Sequence, residues 1–140
     1  MFARALALLL LLSASPALGE ASHNVFRGRP AIKISEGGLS RTPETVPRNR
    51  AIDLECVISQ VGASYYWATR ENVEMVRVEG GAFVTYFATN GSGYVRATIP
   101  ELRQLSSLLS PTEQKFDYVE HLLIGLGSVT YYGKRTKVGP

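Results

Sequence analysis

With 140 residues, the chain is long enough for one domain, and its single cysteine excludes an internal disulfide. The formal net charge of +3 is modest, and an acidic central region argues against a nucleic-acid-binding protein. After residue 12, no apolar run approaches the roughly eighteen residues that a transmembrane helix requires.

Residues 1–19 have the form of a cleavable secretory signal. Arg4 supplies the positive charge, and the apolar run Ala5–Leu12 is too short to span a bilayer. Pro16 ends any helix that continues, while Ala17 and Gly19 are the small residues that a signal peptidase requires before the cleavage site. The sequence therefore predicts export to the periplasm or the extracellular space, with a mature chain that starts at residue 20 and has no transmembrane segment.

Charge is distributed unevenly along the mature chain. Residues 20–50 hold six basic and three acidic groups, residues 51–120 hold five basic and nine acidic groups, and the tail adds Lys134, Arg135 and Lys137. The basic ends could bind an anionic membrane surface or polymer. We favour the alternative that they fold back over the acidic middle or remain solvated.

Three regions follow the signal. Residues 20–50 are rich in proline and contain the Gly37–Gly38 pair, which predicts a mostly irregular basic leader with one short strand at Ala31–Ser35. Residues 51–133 are predicted to form a single α+β domain, and residues 134–140 form a basic tail.

Alternation of apolar and polar residues predicts a strand from Ala51 to Ser59, with Ile52, Leu54, Cys56 and Ile58 on its buried face. Four more strands are predicted at Ser64–Thr69, Val73–Val78, Ala82–Thr89 and Tyr94–Ile99. Their glycine-rich connections are too short for parallel crossovers, so we expect an antiparallel meander.

The pattern then changes to helical spacing. Pro100 with Leu102, Leu105 and Leu109 predicts one helix. The capping-box sequence Ser110–Glu113 followed by Phe116, Val119 and Leu123 predicts a second helix. A final strand is expected at Ser128–Tyr132. The predicted fold is therefore an α+β domain, with an antiparallel meander sheet of about five to six strands covered by two C-terminal helices.

Aromatic residues are the most conspicuous candidates for ligand binding. Tyr65, Trp67, Tyr86 and Tyr94 lie on three of the predicted strands, where exposed rings could stack on a glycan, a peptide or an apolar ligand. Tyrosine is also an ordinary strand residue, and we favour that alternative.

Asp117 and His121 are four residues apart on the second predicted helix, where they could touch and orient the imidazole as a general base. A serine or a carboxylate such as Glu113 would have to complete the site. No recognisable motif places a nucleophile beside the pair, so a surface pair is the favoured interpretation.

The remaining reactive groups carry weaker hypotheses. Cys56 could form a thiol-imidazole dyad with His121, although its alternation with Ile58 favours a buried thiol. Because His23 lies in the leader, we expect no metal site and no cofactor. Asn90–Gly91–Ser92 matches a glycosylation sequon, but it also suits a tight hairpin turn, which we favour.

These features favour an exported, non-enzymatic binding or assembly module whose ligand is a protein, a glycan or a small apolar molecule at the cell envelope. One alternative is a small secreted hydrolase that uses Asp117 and His121. Another is a structural envelope component whose basic leader and tail touch anionic polymer or lipid.

Overall fold

The computed structural model describes residues 21–103 and 115–136. The predicted signal at residues 1–19 and residues 104–114, which hold parts of both predicted helices, lie outside the described residues. Within the described ranges the chain forms nine strands and one short helix, α1 (Arg48–Ala51). The strands are β1 (His23–Gly37), β2 (Ser40–Thr45), β3 (Cys56–Val61), β4 (Ser64–Trp67), β5 (Val73–Gly80), β6 (Phe83–Ala88), β7 (Gly93–Arg103), β8 (Lys115–Ile124) and β9 (Gly127–Arg135).

Eight of these strands form a closed antiparallel barrel. β3 to β9 follow one another in sequence order, and each is antiparallel to the next. β1 closes the barrel because its first part pairs with β3 and its second part pairs with β9. β2 lies outside the closed ring as a hairpin partner of β1.

The predicted α+β fold is therefore wrong, since the described chain is almost entirely strand. Lys115–Ile124, assigned to the second helix, forms β8, and the start of the first predicted helix from Pro100 to Arg103 belongs to β7. The spacing of Phe116, Val119 and Leu123 suits a helix. However, Tyr118 and Glu120 are both fully buried, which is the two-residue period of a strand with an acid in an inward-facing position.

Residues 20–50, which we expected to be mostly irregular, contain the fifteen-residue strand β1 and the edge strand β2. Gly38, with φ of 57°, makes the tight turn between them. Residues 52–54, in contrast, are not part of a strand, and Ile52, expected to be buried, is 58% exposed. No helix in residues 21–103 or 115–136 combines the length and hydropathy needed to cross a bilayer.

The barrel interior is filled by one large cluster of side chains. Its buried members are Phe26, Cys56, Ile58, Trp67, Met75, Tyr86, Ala88, Val95, Ala97 and Tyr118. A register shift between Pro30 and Ile32 in β1 places Ile32 and Ile34 in a second cluster, with Phe116. Because a shift of one residue reverses the face to which side chains point, β1 can serve two clusters along its length.

Tyr118 is packed where two strands carry no side chain. A Cβ atom placed on Gly28 of β1 would lie 2.6 Å from Cε1 of the Tyr118 ring, and one on Gly133 of β9 would lie 2.7 Å from the same atom. The ring of Tyr118 also meets Phe26 edge to face, with centroids 5.5 Å apart. Glycine at both positions therefore allows a large ring to fill the seam where β1 closes the barrel.

Candidate functional site

A charged group lies inside the barrel. Glu120 of β8 is fully buried, and its carboxylate accepts a 3.0 Å hydrogen bond from Nε1 of Trp67 at the end of β4. Nη2 of Arg70 lies 3.0 Å from each of the two carboxylate oxygens. Burial of an unpaired carboxylate would cost several kcal/mol or more, so these two partners make the position tolerable. We refer to Trp67, Arg70 and Glu120 as the polar centre.

The loop between β4 and β5 positions Arg70. Glu71 and Asn72 both have positive φ angles, 53° and 54°, and the Val73 amide donates to the Arg70 carbonyl at 3.2 Å. Nη1 of Arg70 donates to the Thr69 carbonyl at 3.0 Å. The guanidinium is thus held in place by its own loop as well as by Glu120, and its side chain remains 22% exposed.

The ionisable groups of the interior are strongly affected by their surroundings. Burial raises the pKa of Glu120, while the Arg70 charge and the Trp67 hydrogen bond act in the opposite direction. Burial also raises the pKa of the Cys56 thiol well above its usual value, and the neighbouring Glu120 charge adds to that effect. Cys56 is therefore held in its neutral, poorly nucleophilic form.

A cavity of about 240 Å³, half open to solvent, lies next to the polar centre, at the end of the barrel where β4 joins β5 and β6 joins β7. Its apolar walls are Trp67, Val73, Leu122 and Leu123. Its polar groups are Arg70, Glu71, Asn90 and Ser92. Trp67 and Arg70 belong to both the cavity wall and the polar centre, so a molecule in the cavity would lie beside the two partners of Glu120, of which Arg70 is the more exposed.

The four aromatic candidates do not form one surface. Trp67 is only 1% exposed and forms part of the cavity wall. Tyr65 and Tyr86 pack against each other in the interior, with ring centroids 5.5 Å apart, and neither lines the cavity. Tyr94 lies beside His121 in a stacked arrangement with centroids 5.2 Å apart. Of the four, only Trp67 therefore reaches the cavity.

Asp117 and His121 are not brought together either. On a strand, residues four apart are separated by about 13 Å, whereas the predicted helix would have placed them in contact. Asp117 accepts a hydrogen bond from the Arg135 backbone N–H, and His121 Nδ1 lies 2.8 Å from Thr130 Oγ1. Each residue thus has its own structural partner.

The other candidates occupy separate places. Cys56 is fully buried in the interior cluster and does not meet His121. Asn90 is exposed, and its Oδ1 accepts the Ser92 backbone N–H at 2.9 Å, so the sequon forms a local turn at the β6–β7 connection. No group of three His, Cys, Asp or Glu side chains suited to a metal ion occurs in residues 21–103 and 115–136.

Basic residues of the leader and the tail lie on neighbouring strands. Arg29 of β1 is opposite Lys134 of β9 in the strand register. Nε of Arg29 lies 3.3 Å from a carboxylate oxygen of Glu55, and Arg27 Nη1 lies 3.4 Å from the other oxygen. Arg135 contacts Asp117. Several basic residues of the two chain ends therefore contact acids of the middle segment.

Sequence reasoning missed Arg70 and Glu120. Arg70 carries no recognisable motif, and Glu120 lies within the second predicted helix. One signal could have identified them: Glu120 is a single acid within the apolar, strand-forming run Tyr118–Ile124, which indicates a buried acid in need of a cation.

The chain matches no family model, and neither the curated proteins nor the solved structures include a significant match. Function is therefore inferred from the geometry of the polar centre and the cavity.

Proposed function

We propose that the mature chain is an exported, non-enzymatic binding module that holds a small, largely apolar ligand in the cavity at the end of its barrel. The observation that carries this proposal is the cavity of about 240 Å³ walled by Trp67, Val73, Leu122 and Leu123. Mouths of barrels are common places for ligand sites, because the closed sheet supplies a rigid wall and the connecting loops supply polar groups.

The size of the cavity limits the ligand. An apolar cavity of roughly 150 Å³ can hold benzene, and pockets for drug-sized ligands span roughly 300 to 1,000 Å³. At about 240 Å³, this cavity suits a molecule with one ring or a short aliphatic chain. The polar groups of Asn90 and Ser92 at its edge can orient such a molecule by hydrogen bonds.

The arrangement of reactive groups favours binding over hydrolysis. Asp117 and His121 lie apart, and neither lines the cavity. Cys56 is fully buried and its pKa is raised. The groups that do line the cavity, Arg70 and Ser92 among them, are suited to hydrogen bonding and charge recognition.

The test is calorimetric titration of the mature chain, residues 20–140, with benzyl alcohol as a neutral one-ring probe. We expect the wild type to bind the probe and the emission of Trp67, the single tryptophan, to change on binding. Val73→Phe should fill the cavity and weaken binding by at least about tenfold. Val76→Phe on the same strand is the matched control, because Val76 is 53% exposed and does not line the cavity.

Two results would contradict the proposal: no binding of benzyl alcohol by the wild type, or equal binding by the Val73→Phe and Val76→Phe variants.

Export is tested separately by fusing residues 1–30 to a reporter enzyme that is active only outside the cytosol. We expect activity from the intact fusion and none when Leu9 and Leu10 are replaced by arginine, since charge in the apolar run blocks recognition of the signal.

A further inference from the structure

We propose that the ligand is a small carboxylic acid with an apolar body, that its carboxylate binds Arg70, and that its binding causes Glu120 to take up a proton. This inference rests on the proposed function and deepens it, because it names the class of ligand and couples occupancy of the same cavity to pH. It follows from the position of Arg70 between the cavity and the buried acid.

Arg70 is the cation of the cavity wall. Its side chain is 22% exposed, while the carboxylate of Glu120 behind it is fully buried. A guanidinium carries five N–H donors in a planar fork, and the contacts to Glu120 and to the Thr69 carbonyl use only part of them. An anion entering the cavity would thus meet a partly desolvated, already oriented cation, which is the arrangement that recognises carboxylates well.

The rest of the cavity suits an apolar body. Trp67, Val73 and Leu122 supply apolar walls, and the volume of about 240 Å³ accommodates a single aromatic ring with a carboxylate. Glu71 opposes an anionic ligand, since it also lines the cavity. Glu71 is exposed and therefore better screened by solvent than Arg70, so the attraction should exceed the repulsion.

Proton uptake follows from the surroundings of Glu120. The groups that act on it are Arg70, Trp67 and Cys56, while Tyr131 of β9 lies opposite it in the strand register. Tyr118 lies two residues away on β8, and Arg70 is the cation in this set. A bound carboxylate would share that cation, and when two carboxylates share one site the proton affinity of one of them rises strongly. Glu120 is the one that takes the proton, because burial already raises its pKa.

The experiment is calorimetric titration of the mature chain with benzoate at pH 7, in phosphate and in Tris buffer. These buffers differ in ionisation enthalpy, so the difference between the two observed heats counts the protons taken up on binding. Benzoate itself is fully ionised at this pH. We expect net proton uptake in the wild type, and an affinity that rises between pH 8 and pH 6 by up to about tenfold per pH unit.

Three variants separate the parts of the proposal. Glu120→Gln should bind benzoate without proton uptake and without pH dependence. Arg70→Gln should lose at least about tenfold in benzoate affinity and retain binding of benzyl alcohol. Glu71→Gln, at an exposed position where folding is not at risk, should bind benzoate severalfold more tightly and benzyl alcohol unchanged.

The outcomes distinguish this inference from the proposed function. Binding of benzyl alcohol without binding of benzoate would overturn the inference and leave the function standing, whereas binding of neither would remove the function. Benzoate binding with no proton uptake in the wild type would overturn the coupling to Glu120. If benzoate affinity in Glu71→Gln were unchanged or weaker, recognition of the carboxylate in this cavity would be overturned. This test does not depend on whether Arg70→Gln folds.

Discussion

The hydrogen bond from Trp67 Nε1 to Glu120 crosses the barrel from one wall to the opposite wall. Its length is 3.0 Å, and it joins β4 to β8. In the closed ring of eight strands, three strands separate β4 from β8 on either side. The polar centre therefore links opposite walls of the barrel, and two of its members, Trp67 and Arg70, also line the cavity.

Replacement of Glu120 tests that linkage. We expect Glu120→Leu to lower the free energy of unfolding by about 3–5 kcal/mol, because it leaves the partly buried Arg70 charge and the Trp67 N–H without their partner. Glu120→Gln keeps an acceptor for Trp67 and should cost only about 1–2 kcal/mol. Urea denaturation followed by Trp67 fluorescence measures both values. Similar losses in the two variants would show that the hydrogen bonds which Gln retains contribute little.

The pH dependence of stability should reveal the raised pKa of Glu120. Because burial raises the pKa in the folded state, the folded chain binds more protons than the unfolded chain between about pH 4.3 and the folded pKa. Protonated Glu120 therefore contributes its full stabilisation at pH values below the pKa that Glu120 has in the unfolded chain. This stabilisation is lost as the pH rises through the pKa that Glu120 has in the folded chain. The unfolding free energy of the wild type, taken relative to Glu120→Gln, should fall as pH increases from 4 to 8. Parallel curves for the two proteins would contradict this expectation.

Gly28 tests the close packing at the seam of the barrel. Gly28→Ala would place a methyl group 2.6 Å from the Tyr118 ring, which is fully buried and cannot move away freely, so we expect a loss of about 1–3 kcal/mol. Gly37→Ala, at the other end of β1, is the matched control, since nothing lies within 4 Å of the added atom. Its effect should be within about 0.5 kcal/mol. Thermal unfolding of both variants provides the comparison, and equal midpoints would be inconsistent with a tight seam.

The Tyr118 hydroxyl has no hydrogen-bond partner within the part of the chain that the structure describes, although it is buried. An unpaired buried hydroxyl is costly, so Tyr118→Phe should raise the free energy of unfolding by about 1 kcal/mol. Tyr66→Phe, at a half-buried position on β4, should change it by less than about 0.5 kcal/mol. Destabilisation by Tyr118→Phe in urea denaturation would mean that the hydroxyl has a partner in solution.

Predictions from the sequence were best where the relevant signals are local. β4, β5 and β6 lie close to predicted segments because alternation and glycine-rich connections are properties of a few adjacent residues. β8 was misassigned because its inward-facing acid, Glu120, interrupts the apolar alternation while Phe116 and Val119 happen to fit helical spacing. The misassignment also created the Asp117–His121 hypothesis, since only a helix would place those side chains in contact.

The sequence by itself determined the strand-forming segments of the middle of the chain and their antiparallel succession, since short connections leave no other arrangement. Only the tertiary structure decided the closure of the barrel, because β1 pairs with β9 across most of the chain and no local pattern encodes that pairing. The tertiary structure likewise decided that Glu120 is a buried carboxylate paired with Arg70 and Trp67. A buried acid is stable only with its partners, and Arg70 and Trp67 stand 50 and 53 residues away in the sequence.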